Sequence, residues 1–159
     1  MTKKVAITYP VIFECVKDYF ACRDVEVILT DINDDISEYD LTIVYNEYDF
    51  AQKTDNVINI HPSLLPAFSG KNAIKETFDY GAKVSGITIH SKDKIIAQYP
   101  VLIGIETHVA DFMEELFALE KKLLPPVIDS ILNDRVFDFT DLFLTPCHKN
   151  GCSGCGGCH

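Results

Sequence analysis

The sequence predicts an α/β fold, with an open, mostly parallel, Rossmann-like sheet flanked by helices. Strand-like runs alternate with helical patterns in the first half of the chain, as is typical of βαβ crossovers. Hydrophobic residues make up 47% of the 159 residues, which is enough for one sizeable core. We expect one α/β domain over residues 1–146 and a tail of different composition over residues 147–159.

The first half supplies four of the expected strands. Each is a short apolar run, and Pro10 after the first run suits the opening turn of a helix. The predicted strands are Lys3–Tyr9, Val25–Leu29, Leu41–Tyr45 and Val57–Ile60. The acidic stretch Asp31–Asp35 reads as a solvated turn, since it lacks a full calcium-binding loop.

The second half predicts a helix, a strand pair and a long helix. Gly81 is a suitable C-cap for the first helix, and Thr107 is a suitable N-cap for the long one. We expect Pro125-Pro126 to interrupt the long helix before a further helical piece, Val127–Leu132. The other predicted elements are the helix Asn72–Tyr80 and the strands Gly86–His90 and Ile95–Leu102.

Charge and composition narrow the expected partners. The net charge of −10 repels nucleic acid and anionic membranes, so neither is expected. A small-molecule substrate or a protein partner is expected instead. No signal peptide and no membrane-length apolar run is visible, so the expected location is the cytoplasm. The apolar segment Val136–Leu144 has two open roles, closing a homodimer or covering the sheet.

The segment that follows the fourth predicted strand carries the candidate chemistry. Open parallel sheets bind ligands at the carboxyl ends of their strands. Asn59 and His61 lie two residues apart, so they point to the same side of the strand. An amide can donate to a developing oxyanion, and an imidazole can move a proton near neutral pH. The alternative is structural, with His61 capping the strand and Asn59 closing the turn.

These residues resemble the core signature of the folate-dependent formyltransferases. The resemblance rests on the run Asn59-Ile60-His61-Pro62-Ser63-Leu64-Leu65-Pro66, on Gly70 and on Gly86-Ile87-Thr88-Ile89-His90. It covers about residues 41–132 and implies that 10-formyltetrahydrofolate is bound and donates a formyl group to an amine. It also implies the family fold in a shortened form.

The resemblance also implies roles for individual residues. Asn59 would be the oxyanion donor, and His61 the group that transfers a proton or stabilises charge. Thr88 and His90 would support the wall of the site, although for His90 we favour a satisfied strand-end histidine. The residues implied in substrate or folate binding are Ser63, Leu64, Thr88, His90 and Asp93.

The chain departs from the family pattern at three places. After the second histidine, the family has a longer loop ending in a catalytic aspartate followed by glycine, whereas here only Ser91-Lys92-Asp93-Lys94 precedes the next strand. The turn after the first strand has no glycine to cradle a phosphate, so glycinamide ribonucleotide is not an expected acceptor. One strand–helix segment is expected to be missing between Thr30 and Leu41.

Two functions therefore stay open. The enzyme would transfer a formyl group to an unidentified amine or hydrolyse it. The alternative is a catalytically inactive formyltransferase fold that binds metal and docks onto a partner.

The tail predicts a metal or iron–sulfur site. Its thiols follow the spacing C-x4-C-x2-C-x2-C among glycines, and clustered thiols in a reducing compartment more often bind metal than form disulfides. We favour an iron–sulfur cluster over zinc, because paired thiols in zinc ribbons lie further apart. An exposed, redox-active tail is the alternative. The expected ligands are Cys147, Cys152, Cys155 and Cys158, with His148 and His159 beside them.

Overall fold

A computed structural model describes residues 1–92 and 94–138 of the chain. Short apolar runs form its strands, and its helices lie between and after them. The strands are β1 (Lys3–Ile7), β2 (Val25–Leu29), β3 (Leu41–Tyr45), β4 (Val57–His61), β5 (Val84–Ser91) and β6 (Lys94–Leu102). The helices are α1 (Pro10–Phe20), α2 (Tyr48–Lys53), α3 (Ala73–Tyr80) and α4 (Val109–Leu132).

The strands form one six-stranded sheet in the order β2-β1-β3-β4-β5-β6. The first four strands in this order pair in parallel, and β5 and β6 add an antiparallel hairpin. This confirms the predicted mostly parallel α/β sheet. After β2 the chain returns past β1 to form β3, so the order reverses between β1 and β3. Such a reversal leaves a crevice at the carboxyl ends of the two strands.

The two faces of the sheet bury different residues. Alternation along β4 directs Ile58 and Ile60 into the larger core, which α1 and α4 cover. Val57 points to the opposite face, where it packs with Ala51 of α2 in a smaller cluster. Asn59 and His61 share that second face, because they lie two and four residues after Val57.

Helix α4 runs without a break through Pro125 and Pro126, so the predicted interruption is wrong. Proline lacks an N–H and normally costs about 3 kcal/mol inside a helix. Here the neighbouring apolar residues Leu123, Leu124, Val127 and Ile128 are fully or almost fully buried. Packing against the sheet therefore holds the helix together against its local propensity.

Several local expectations are also corrected. β1 ends at Ile7 rather than Tyr9, and α2 was not predicted. Thr107 is not the N-cap of α4. Its Oγ1 accepts a hydrogen bond from the Gly104 N–H at 2.9 Å, which closes a turn, and His108 is the N-cap residue.

Two glycines are required by their local geometry. Gly81 follows α3 in the left-handed conformation, with φ of 75°, as the sequence predicted for a C-cap. At Gly86 a Cβ atom would lie 1.9 Å from the carbonyl oxygen of Tyr99 in β6. Glycine at this position therefore allows β5 and β6 to approach each other.

Within the described part of the chain, none of the helices combines the length and the apolar character that crossing a membrane requires.

Candidate active site at the end of strand β4

The register between β4 and β5 brings the predicted site residues together. Asn59 lies opposite His90, and His61 lies opposite Thr88. The side chains of Asn59, His61 and Thr88 are fully buried, and His90 is 1% exposed. The predicted pairing of an amide and an imidazole on one side of the strand is therefore present, with two residues of β5 beside them.

Two hydrogen bonds fix the orientation of the Asn59 amide. Its Oδ1 accepts from the backbone N–H of Glu47 at 2.9 Å. Its Nδ2 therefore faces His90 and lies 2.9 Å from Nε2 of that ring. Since an amide nitrogen can only donate, Nε2 of His90 is the acceptor.

These contacts also determine the tautomer of His90. Its Nδ1 lies 3.2 Å from the carbonyl oxygen of Lys92, which can only accept, so Nδ1 carries the proton. The short turn after β5 thus supplies a backbone acceptor for the second histidine. Burial lowers the pKa of His90, and the nearby His61 lowers it further. His90 is therefore a neutral, satisfied strand-end histidine, as we favoured from the sequence.

His61 has the opposite tautomer and an unused nitrogen. Its Nε2 lies 2.8 Å from the carbonyl oxygen of Phe68 and therefore carries the proton. Its Nδ1 is buried and has no hydrogen-bond partner among the described residues. Burial lowers the pKa of His61, although the bond to Phe68 opposes the effect, so the lone pair on Nδ1 is free near neutral pH.

The segment that follows His61 folds back over the same face of the sheet. Thr88 anchors it, because its Oγ1 donates to the Ser63 carbonyl at 2.7 Å and accepts from the Leu65 N–H at 3.0 Å. Gln98 of β6 donates both to the Leu65 carbonyl and to Thr88 Oγ1. Ser63 donates to the Ala67 carbonyl at 2.6 Å. The segment 62–68 thus covers His61 in this state.

Tyr48, at the start of α2, covers the two histidines from the other side. Its ring centroid lies 5.2 Å from that of His90 and 6.3 Å from that of His61. A cavity of about 260 Å³ opens beside this ring. It is lined by Tyr48, Leu65, Pro66, Ser69, His90, Lys92 and Ile95. Its apolar and aromatic walls beside a buried polar cluster suit a small organic ligand.

The structure brings together the described residues predicted for this site. Ser63 bonds within the covering segment, Thr88 anchors that segment from β5, and Leu64 is half-buried. Asp93 lies outside the described residues. Sequence reasoning missed Tyr48, Gln98 and Gln52, whose Nε2 donates to the Lys92 carbonyl at 2.7 Å. For Gln98, the alternation along the predicted strand was an available signal.

A second polar cluster lies at the crevice between β1 and β3. The Tyr9 and Tyr45 rings stack with centroids 4.3 Å apart. The Tyr9 hydroxyl donates to Oε2 of Glu120 at 2.9 Å, and Glu120 is fully buried on α4. Burial raises the pKa of Glu120 to about 7, while the bond from Tyr9 opposes that rise. Both tyrosines have pKa values above the ordinary range, mainly because they are buried.

The metal prediction concerns residues that are not described. Over residues 1–92 and 94–138, no group of three or more His, Cys, Asp or Glu side chains could hold a metal ion. The predicted ligands, Cys147, His148, Cys152, Cys155, Cys158 and His159, all lie outside the described residues, so an iron–sulfur or zinc site there stays a prediction.

Curated relatives match this chain over the region that contains the site. The phosphoribosylglycinamide formyltransferase of Bacillus subtilis is 42% identical over 82 residues, which are 48% of this chain and 42% of that protein. The mitochondrial formyltetrahydrofolate deformylase 2 of Arabidopsis thaliana is 36% identical over 90 residues, which are 53% of this chain and 27% of that protein. The chain thus spans less than half the length of these two relatives.

Solved structures show the same fold over a longer stretch. The phosphoribosylglycinamide formyltransferase of Anaplasma phagocytophilum superposes with a TM-score of 0.67 at 22% identity, covering 84% of this chain and 88% of that one. The formyl transferase family model matches residues 48–128, from Tyr48 through most of α4, which is just over half of the chain. On this match the chain belongs to the formyl transferase family.

Proposed function

We propose that this chain transfers a formyl group from 10-formyltetrahydrofolate to an amine, with Asn59 and His61 as the catalytic residues. The observation that carries the proposal is the free, buried Nδ1 of His61 on a neutral imidazole beside Asn59. Buried polar atoms are nearly always paired, so an unpaired one at a strand end calls for a functional explanation. The names of two relatives, a formyltransferase and a formyltetrahydrofolate deformylase, support the same one-carbon chemistry.

The proposed reaction gives each residue one task. The acceptor amine adds to the formyl carbon to give a tetrahedral oxyanion, and the C–N bond to the folate then breaks as the carbonyl re-forms. His61 takes the proton that the amine loses and returns it to the departing folate nitrogen. Asn59 has a second amide hydrogen beyond the one directed at His90, and that hydrogen stabilises the oxyanion.

The donor enters through the cavity beside Tyr48 in this proposal. That cavity borders His90, whose ring is in turn bonded to Asn59. A flat heterocycle would stack on the tyrosine ring and contact Leu65 and Ile95. Since Asn59 and His61 are fully buried, the segment 62–68 must move away before the donor reaches them.

A second candidate is a catalytically inactive formyltransferase fold that binds metal through its tail and docks onto a partner. The burial of both catalytic candidates favours it. So does the absence, among the described residues, of any carboxylate hydrogen-bonded to His61 or His90. On this view Asn59, His90 and the Lys92 carbonyl form a structural network. The tail from Cys147 would then carry the function.

One set of variants separates the candidates. Full-length protein and the variants Asn59→Ala and His61→Ala are incubated with 10-formyltetrahydrofolate and a panel of amines, and release of tetrahydrofolate is followed. We expect His61→Ala to lose about 10²–10⁴-fold in rate and Asn59→Ala about 10²–10³-fold. His108→Ala is the matched control, because this histidine is exposed at the start of α4.

Truncation after Pro146 completes the test. The enzyme should keep its rate without the tail, whereas the inactive binding protein should lose metal or partner binding. Folate release that is equally slow in the wild type and in His61→Ala, with every amine and with water, would contradict the proposed transfer.

A further inference from the structure

The crevice between β1 and β3 is filled in a way that disfavours anions. In doubly wound sheets this position, at the start of the first helix, commonly receives a phosphate. Here Pro10 is the first residue of α1 and has no N–H to offer, and the Ile12 N–H already donates to the Tyr9 carbonyl at 3.3 Å. The stacked rings of Tyr9 and Tyr45 occupy the adjoining space.

A buried carboxyl group lies behind these rings. Glu120 has no exposed surface, and its Oε2 is held by the Tyr9 hydroxyl. Its Oε1 has no hydrogen-bond partner among the described residues. The ion pairs that Lys4, Arg23, Lys71, Lys75, Lys92 and Arg135 make involve acids other than Glu120. The charge of Glu120 is therefore uncompensated, and a nearby ligand cation would complement it.

A separate cavity of about 370 Å³ lies next to this cluster. Tyr45 is part of its wall, together with Asn46, Pro62, Lys71, Lys75 and Phe78. Pro62, which directly follows His61 in the chain, is part of this wall, whereas Asn59 and His61 themselves are not. Its two lysines are already paired, Lys71 with Glu47 at 3.7 Å and Lys75 with Asp79.

We propose that this cavity takes the acceptor and that the cluster of Tyr9, Tyr45 and Glu120 makes it select an amine that binds as its ammonium ion and carries no phosphate group. Before transfer the bound ammonium loses one proton to solvent, and the resulting neutral amine attacks the formyl carbon. The inference rests on the proposed function, because it names the substrate class of that reaction. Each of the two lysines of the wall has an acid beside it, which reduces the attraction of the cavity for an anion. Glu120 then adds an unpaired negative charge behind the Tyr45 wall. The face of the Tyr45 ring itself also favours a cation.

The selectivity should depend on pH. The titratable groups facing Glu120 are Tyr9 and Tyr45, and both phenols stay neutral between pH 6 and pH 8 because their pKa values are raised. On the α1 side, the Cys15 thiol donates to the Ile12 carbonyl. Burial raises the pKa of that thiol, and the positive charge of Lys121 opposes the rise. The pKa of about 7 for Glu120 means that its charge, and with it the preference for a cation, grows between pH 6 and pH 8.

The test uses the full chain and two simple probes, n-propylammonium chloride and sodium phosphate, at constant ionic strength. Binding is followed by the NMR signals of the Tyr45 ring and of the Asn46 side chain. We expect propylammonium to shift these signals saturably and more strongly at pH 8 than at pH 6, and phosphate to leave them unchanged. Glu120→Gln, which keeps the shape of the side chain, should weaken ammonium binding about tenfold at pH 8, as one charge acting through the protein would.

Glu114→Gln is the matched control, because it removes the same charge from an exposed position on the same helix. The proposal is overturned if phosphate shifts the Tyr45 signals as much as propylammonium does, if neither probe shifts them, or if Glu120→Gln behaves as the control does. No formyl donor is present in this experiment. A chain that prefers ammonium but transfers no formyl group would therefore contradict the proposed function alone.

Discussion

The ends of β4 and of β1 and β3 place polar groups at the same edge of the sheet, but they do so in different ways. At β4, Asn59 and His61 come from one short run of sequence, and the hairpin adds His90 and Thr88 opposite them. At β1 and β3, the cluster joins Tyr9, Tyr45 and Glu120, of which the first and last lie 111 residues apart. The first region lies on the face covered by segment 62–68, and the second lies on the face covered by α4.

The two regions therefore depend on different parts of the chain. The β4 site depends on a local motif and on one register, so it needs few contacts from distant parts of the chain. The β1–β3 cluster depends on long-range packing, so we expect a change in any of its three residues to alter which ligand the crevice admits. The first region thus carries the proposed chemistry, and the second carries the proposed choice of acceptor.

Among the variants that test this difference, we expect Thr88→Val to have the largest effect on the free energy of unfolding. The substitution keeps the shape of the side chain but removes the Oγ1 atom that bonds Ser63, Leu65 and Gln98. Leaving such buried groups unpaired should cost about 2–4 kcal/mol in the free energy of unfolding. Urea denaturation measures this cost.

Thr8→Val is the control for this prediction, because Thr8 Oγ1 makes a single, longer bond of 3.2 Å to the Ile43 carbonyl. It should cost about 1 kcal/mol or less. Equal losses in the two variants would show that segment 62–68 is not anchored through Thr88.

The next effect comes from Glu120 and depends on pH. The folded-state pKa of about 7 lies above the ordinary value of 4.5, so the folded state holds this proton more tightly than the unfolded state does. The stabilisation is complete below about pH 4.5 and is lost as the pH rises to 7. Glu120→Gln lacks this dependence.

Unfolding free energies of the wild type and Glu120→Gln at pH 5 and pH 8 measure this contribution. Relative to the variant, the wild type should lose about 3 kcal/mol, or somewhat less, between the two pH values. The histidines, whose pKa values are lowered, affect both proteins alike and cancel in the comparison. A difference that is independent of pH would mean that Glu120 titrates normally.

The smallest effect is expected from Gln52→Ala. This variant removes the side-chain donor to the Lys92 carbonyl, which also accepts from His90. Because that bond is exposed, the loss should be about 0.5–1 kcal/mol. The more telling readout is the ¹⁵N NMR spectrum of His90, in which Nδ1 should stay protonated. A change of tautomer would show that Gln52, rather than Asn59, sets the state of this ring.

Much of the fold was predictable, because strands such as Leu41–Tyr45 carry their own apolar pattern. The placement of Asn59 and His61 on one face of β4 was also predictable, since it follows from strand alternation alone. The unbroken α4 was not, because its prolines oppose local helix propensity and only burial against the sheet outweighs them. Glu120 was not predictable either, since one glutamate in a helical pattern gives no sign that Tyr9 reaches it.

Whether the site at the end of β4 takes a folate is tested most directly by a calorimetric titration of the full chain with a stable analogue of 10-formyltetrahydrofolate. We expect saturable binding in the wild type. We expect weaker binding in Asn59→Ala, because loss of the amide leaves His90 and the Glu47 N–H without their partner. No heat of binding at millimolar analogue would contradict the claim that this site still takes a folate.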